Sequence, residues 1–170
     1  MREIEVKFLE VNVDGLVRRL FELGAKRQFE GEIEAWYFDH DDSRLSGEKK
    51  SLRLRRKGDI GELTLKVEAG KGRGKEMDEY EVQFSNYGEM RQILERMGLK
   101  ETRSMAKRRV SYSIGAVHFE FDTIPGIPTF LEIEAQEYGL IEQYASLLGL
   151  SMKDAKPWSG RDVLRHYNKL

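Results

Sequence analysis

The feature that most constrains this chain is an alternation of charged and apolar residues that returns in segment after segment with both signs of charge. It opens with Glu3-Ile4-Glu5-Val6-Lys7. Successive side chains of a strand point to opposite faces, so Glu3, Glu5 and Lys7 share one face while Ile4, Val6 and Phe8 share the other. One such strand is ordinary in a half-solvated sheet. The pattern recurs in Leu52-Arg53-Leu54-Arg55 and in Glu62 to Val67, where Thr64 and Lys66 oppose Leu63, Leu65 and Val67. Met77 to Phe84 sets Glu79, Glu81 and Gln83 against Tyr80, Val82 and Phe84. Thr102 to Ile114 carries Lys107, Arg109, Ser111 and Ser113 on one face. The next strand sets His118, Glu120 and Asp122 against Val117, Phe119 and Phe121. The last sets Phe130, Glu132, Glu134 and Gln136 against Leu131, Ile133 and Ala135.

A strand from Arg27 to Asp39, with the aromatic run Trp36-Tyr37-Phe38, brings the total to eight. Between them fall a helix ending near Ala25, capped by Asn12 or Asp14, and a second from Tyr87 to Met97 closed by Gly98. Two further helices are expected from Leu140 to Leu148 and from Ser159 to Tyr167. His40 to Lys50 reads as a loop, Gly58-Asp59-Ile60-Gly61 as a hairpin turn, and Gly70 to Lys75 as a flexible basic loop. That last loop lacks the Lys-Ser/Thr ending and following helix of a phosphate-binding P-loop. It is either a solvated connection or a lid that closes over an anion.

Eight strands with few helices and short connections predict an α+β, mainly β fold: a closed antiparallel barrel with helices packed outside. The 170 residues fit one domain, 1–170. If the charged face points inward, the apolar outer face must be covered by helices or a second subunit, so a homodimer is one expected arrangement. A net charge of −1 gives no support to nucleic-acid binding. No apolar run approaches the roughly 20 residues of a membrane helix, and a strand begins at once with no signal-like segment, so a cytoplasmic location is expected. Cysteine is absent and the three histidines form no spaced metal cluster.

Enclosing the charged face costs several kcal/mol per ion unless each is paired or binds something. A highly charged ligand would offset that cost. Bases at i and i+2 of a strand sit roughly 6–7 Å apart, so several such strands can grip successive phosphate groups, and guanidinium forks match phosphate oxygens. Clustered carboxylates are the hard-oxygen ligands that Mg²⁺ or Mn²⁺ requires. Phosphoryl chemistry uses both. The competing readings are a ladder of salt bridges on a solvated sheet and an outer-membrane barrel, which the interspersed helices disfavour. His118 reads as structural, and Trp36 and Trp158 as packing residues.

In order along the chain, E-I-E-V-K at 3–7, L-R-L-R at 52–55, L-T-L-K at 63–66, E-Y-E at 79–81, K-R-R at 107–109, F-D at 121–122 and F-L-E-I-E at 130–134 resemble the CYTH superfamily of triphosphate tunnel metalloenzymes. These include class IV adenylate cyclases, thiamine triphosphatases and inorganic triphosphatases. The resemblance implies an eight-stranded tunnel that binds triphosphate with Mg²⁺ or Mn²⁺. It assigns Glu3, Glu5, Glu132 and Glu134 to metal, with Asp122 assisting. Lys7, Arg53, Arg55, Lys66, Lys107 and Arg109 are assigned to the triphosphate. Glu79 and Glu81 would orient those bases or join a second metal site, and Glu5, Lys7, Lys66 and Glu134 are placed at the reacting centre. The chain departs from the family at Ala35, often acidic or amide there, and at Gly126-Ile127-Pro128-Thr129. The expected function is metal-dependent hydrolysis of inorganic, thiamine or nucleoside triphosphate. The alternatives are conversion of ATP to cyclic AMP and pyrophosphate, and a non-catalytic polyphosphate- or nucleotide-binding module.

Overall fold

The structure, a computed structural model, describes residues 2–71 and 75–169. Eight strands are β1 (Arg2–Phe8), β2 (Lys26–Asp39), β3 (Lys50–Lys57), β4 (Ile60–Lys71), β5 (Lys75–Phe84), β6 (Lys100–Ile114), β7 (Val117–Thr123) and β8 (Phe130–Ala135). Backbone pairing closes them into an antiparallel barrel in the order β1-β5-β4-β3-β2-β6-β7-β8, with the helices outside. The helices are α1 (Val13–Glu22), α2 (Arg44–Gly47), α3 (Tyr87–Arg96), α4 (Tyr138–Leu147) and α5 (Gly160–His166). Among the described residues no helix is long and apolar enough to cross a membrane.

The residues group into two compact units. One comprises Gly31–Ala69 and Met77–Lys107; the other comprises Arg2–Glu30, Gly70–Glu76 and Arg108–Leu170.

In the second unit, the apolar faces of β1, β7 and β8 form a core with α1 and α4. Val6, Phe8, Phe119, Leu131 and Ile133 pack with Leu16 and Leu20 of α1 and with Ile141 and Ala145 of α4. Burying this apolar area is the main driving force for holding the helices on the sheet, at about 25 cal/mol per Å². Of the two candidate caps for α1, Asn12 takes the role, its side chain accepting from the Gly15 N–H at 3.1 Å. Ser159 and Asp162 form a reciprocal capping box at the start of α5.

In the first unit, Trp36, Phe38, Leu52, Leu54 and Leu63 pack beneath Tyr87, Met90 and Leu94 of α3, while Tyr80 and Val82 of β5 stay exposed. The β3–β4 turn is tighter than the sequence implies. Lys57 pairs with Ile60, leaving Gly58 and Asp59 as a two-residue turn with Gly58 at φ +62°. Ile60 and Gly61 belong to β4. Gly61 is needed for a second reason: a Cβ there would lie 2.2 Å from the Phe84 ring. The stretch expected as loop from His40 to Lys50 contains the single turn α2. Asp39 organises it by accepting from the N–H groups of His40, Leu45 and Ser46 and from the Ser46 hydroxyl. The expected basic loop is shorter than 70–75, since β4 reaches Lys71 and β5 begins at Lys75; Gly72, Arg73 and Gly74 lie outside the described residues. Trp36 packs against Tyr87 at 5.0 Å between ring centroids, and Trp158 against His166 at 5.2 Å.

Candidate active site

In the second unit, register places the charged residues of four strands side by side. Glu5 stands opposite Glu134 and Lys7 opposite Glu132 across β1 and β8. Glu132 is opposite Glu120, and Glu134 opposite His118, across β8 and β7. Arg109 faces Asp122, and Ser111 faces Glu120, across β6 and β7. All of these side chains occupy the face turned away from α1 and α4. Their burial is unusual for ions: Glu5, Lys7, Arg109, Glu120, Asp122 and Glu132 are all buried.

Each buried charge is compensated. Lys7 Nζ donates to Glu132 Oε2 at 2.6 Å and to Glu5 Oε1 at 3.2 Å. Burial pulls the Lys7 ammonium toward neutrality, but Glu132 and Glu5 outweigh it and hold the pKa above lysine's ordinary value. Arg109 grips Asp122 with its fork, Nε and Nη2 each donating at 2.6 Å, and its Nη1 lies 3.0 Å from Glu120. Burial opposes the Arg109 charge, yet Asp122 and Glu120 keep it protonated well beyond the normal range. The Ser111 hydroxyl donates to Glu120 at 2.6 Å.

Among the described residues, one group of three carboxylates brings oxygens within 4.8 Å of one another: Glu5, Glu132 and Glu134. All its donors are hard oxygens, the set that suits Mg²⁺ or Mn²⁺ rather than zinc or copper. Of the five carboxylates assigned to metal by resemblance, these three converge. Asp122 is instead engaged with Arg109, and Glu3, half-buried on the same face of β1, lies outside the group. His118 is exposed.

The first unit holds a different charged cluster. Register pairs Arg53 with Thr64 and Arg55 with Glu62 across β3 and β4, and Tyr37 with Arg53 across β2 and β3. Arg53 Nη2 lies 3.3 Å from Thr64 Oγ1, 3.7 Å from Glu79 and 4.0 Å from Glu81. Arg55 binds Glu62 through Nε and approaches Glu81 at 3.5 Å. Lys66 Nζ forms an ion pair with Glu79 at 2.5 Å, and Thr64 donates to Glu81 at 2.9 Å. Glu79 and Glu81 therefore fix the positions of three of the assigned bases. Lys107 is half-buried on β6.

Several residues escape the sequence reading. Tyr37 lies on the charged face, opposite Arg53 in register, whereas Trp36 and Phe38 face the core. The Arg103 guanidinium stacks 3.3 Å over its ring. Burial favours the neutral phenol, but Arg53, Arg103 and Lys107 overcome this and lower its pKa below the ordinary value of 10.0. Extending the β6 alternation back from Lys107 reaches Arg103, so that residue was available to the pattern. Lys75, within the expected loop, instead begins β5 and donates to Glu5 Oε1 at 2.8 Å. Glu62, opposite Arg55, was visible only once the hairpin register was known.

Comparison with known proteins agrees with the barrel. A Methanocaldococcus jannaschii protein, named as a candidate adenylate cyclase, is 28% identical over 137 residues, covering 79% of this chain and 77% of that protein. A solved structure of a Pyrococcus horikoshii OT3 protein is 29% identical, with a TM-score of 0.79, over 95% of this chain and 98% of that one. A Hippeastrum protein, described as a candidate adenylyl cyclase with a dominant triphosphatase activity, shares the fold. It has 15% identity and a TM-score of 0.68, over 99% of this chain and 96% of its own. The CYTH domain matches residues 1–139. This chain belongs to the CYTH domain family.

Proposed function

We propose that the chain is a divalent-metal-dependent phosphoryl-transfer enzyme acting on triphosphate compounds, hydrolysing inorganic, thiamine or nucleoside triphosphate. The observation that carries this reading is the group Glu5, Glu132 and Glu134, three carboxylates converging beside the buried cation Lys7. A structural salt bridge needs one carboxylate per ammonium. Here three converge, all of them hard-oxygen donors of the kind a dication takes.

Glu5, Glu132 and Glu134 would hold the ion, with Glu3 and Asp122 in support. When bound, Mg²⁺ or Mn²⁺ would supply Lewis-acid polarisation of the phosphoryl group and neutralise charge developing on it. The chain's own bases do the rest. Lys7 and Arg109, fixed by their carboxylate partners, present cationic donors that need no reorganisation as charge builds on phosphate oxygens. Arg53, Arg55, Lys66 and Lys107 bind further phosphate oxygens, and Glu79 and Glu81 orient the first three of these. Glu5, Lys7, Lys66 and Glu134 are assigned to the reacting centre.

A second reading, conversion of ATP to cyclic AMP and pyrophosphate, is favoured by the name of the Methanocaldococcus jannaschii relative. The same bases serve both reactions; they differ in whether water attacks the terminal phosphorus or the nucleotide's 3′-hydroxyl attacks the α-phosphorus. The test is incubation of the purified chain with Mg²⁺ or Mn²⁺ and, separately, tripolyphosphate, thiamine triphosphate and ATP, followed by product separation. Phosphate release is expected. Cyclic AMP with pyrophosphate would establish the second reading, and tight triphosphate binding with no turnover would overturn both in favour of a binding module.

A further inference from the structure

The carboxylate group also carries a cation from the start of β5. One oxygen of Glu5, Oε1, accepts from Lys75 at 2.8 Å and from Lys7 at 3.2 Å. The two ammonium groups differ in their freedom to leave. The Lys7 side chain is 3% exposed and is also held by Glu132, so moving it would strand a buried charge. The Lys75 side chain is 27% exposed, so water can solvate its ammonium if the contact with Glu5 breaks. Asp162, in the capping box of α5, also feels the Lys75 charge.

A dication on Glu5 and an ammonium on the same carboxylate repel each other, so both cannot occupy it at full strength. We propose that Lys75 is an internal counter-cation of the divalent-metal site: it competes with the ion for Glu5 and thereby sets the affinity for metal. This rests on the metal reading of Glu5, Glu132 and Glu134. Lys7 remains in place in both states, while Lys75 is exchanged for the ion. The position lies at the start of β5, on a different strand from every carboxylate of the group, so its charge can be changed without touching a ligand.

The experiment is calorimetric titration of the full chain with Mn²⁺ alone, without substrate, for the wild type, Lys75→Met and Lys75→Arg. Lys75→Met should bind Mn²⁺ about two- to fivefold more tightly, the equivalent of one partly exposed ion pair no longer broken on binding. Lys75→Arg keeps the charge and should stay near the wild type. Equal affinity in the wild type and Lys75→Met would overturn the counter-cation role while leaving the metal reading standing. Tightening in Lys75→Arg as large as in Lys75→Met would also overturn it, since charge would then be irrelevant. Absence of Mn²⁺ binding in the folded wild type would bring down the metal reading and this proposal together.

Discussion

Lys7 and Glu132 stand directly opposite one another across β1 and β8, and their charged atoms meet at 2.6 Å with each side chain less than a tenth exposed. A pair this buried is costly to break. Glu132→Leu leaves the Lys7 ammonium with Glu5 as a weaker partner and should destabilise the protein by about 3–5 kcal/mol. The double variant Lys7→Met, Glu132→Leu should recover most of that loss, because no buried charge then remains without its partner. Urea unfolding of the three proteins measures both. The sign of the pH dependence follows from the raised Lys7 pKa. Its contribution is fully present below the unfolded lysine value of about 10.4 and is lost only as pH rises through the higher folded value. The gap between wild type and Lys7→Met should therefore stay flat from about pH 6 to 9. A gap that closes within that window would show that Lys7 loses its proton there.

Tyr37 should ionise below the ordinary phenol range. Burial resists its charging, but Arg53, Arg103 and Lys107 surround the phenol and outweigh that resistance. Ultraviolet titration of the seven tyrosines should show one transition below the ordinary phenol value of about 10, and Tyr37→Phe should remove it. Because the folded pKa is depressed, the associated stability is present above the unfolded value and lost as pH falls through the folded one. Tyr37→Phe should accordingly leave stability near neutral pH almost unchanged on this account. An early transition that survives in Tyr37→Phe would assign it to another tyrosine.

The barrel was legible because period-two alternation survives in nearly every strand, and because a face holding Glu5, Lys7, Arg109 and Asp122 can be buried only if the strands bring opposite charges into register. What the alternation could not supply is partner choice. Asp122 and Glu134 look equivalent in sequence, yet Asp122 faces Arg109 across β6 and β7 while Glu134 faces Glu5 across β1 and β8. Register between strands distant in the chain decides which carboxylate neutralises a base and which joins the converging group. Lys75 was hidden for a different reason. Glycine and lysine around it signal a loop, but β5 pairing extends to it, a tertiary override of local propensity. Gly61 was assigned to a turn on the same grounds, and its actual role is steric.

That role makes Gly61→Ala a direct test of the β4–β5 packing. An added Cβ would lie 2.2 Å from Cε2 and 2.4 Å from Cζ of Phe84, whose ring packs with the core under α3. The ring must tilt out of that core or the strands must part, at about 1–3 kcal/mol. Thermal unfolding should show the loss, and Phe84→Leu should reduce it in the double variant by clearing the space. Additive losses in the double variant would mean that the two positions do not meet.

Arg53 offers the sharpest separation between a phosphate-binding base and a purely structural one. Its guanidinium is held by Thr64 at 3.3 Å and by Glu79 and Glu81 at 3.7 and 4.0 Å. These contacts are long compared with the 2.6 Å pairs of Lys7 and Arg109, and they aim the guanidinium. A ligand with several phosphates can engage Arg53 alongside other bases, whereas a single phosphate can satisfy itself elsewhere. Arg53→Ala should weaken tripolyphosphate binding roughly 10- to 100-fold, the worth of charge-assisted hydrogen bonds, and weaken orthophosphate binding far less. Arg53→Lys should fall between, keeping the charge but losing the planar fork. Calorimetry on the three proteins decides it. Equal losses for the two anions would reduce Arg53 to a partner of Glu79 and Glu81, and the structural role would then have to appear as a matching fall in stability.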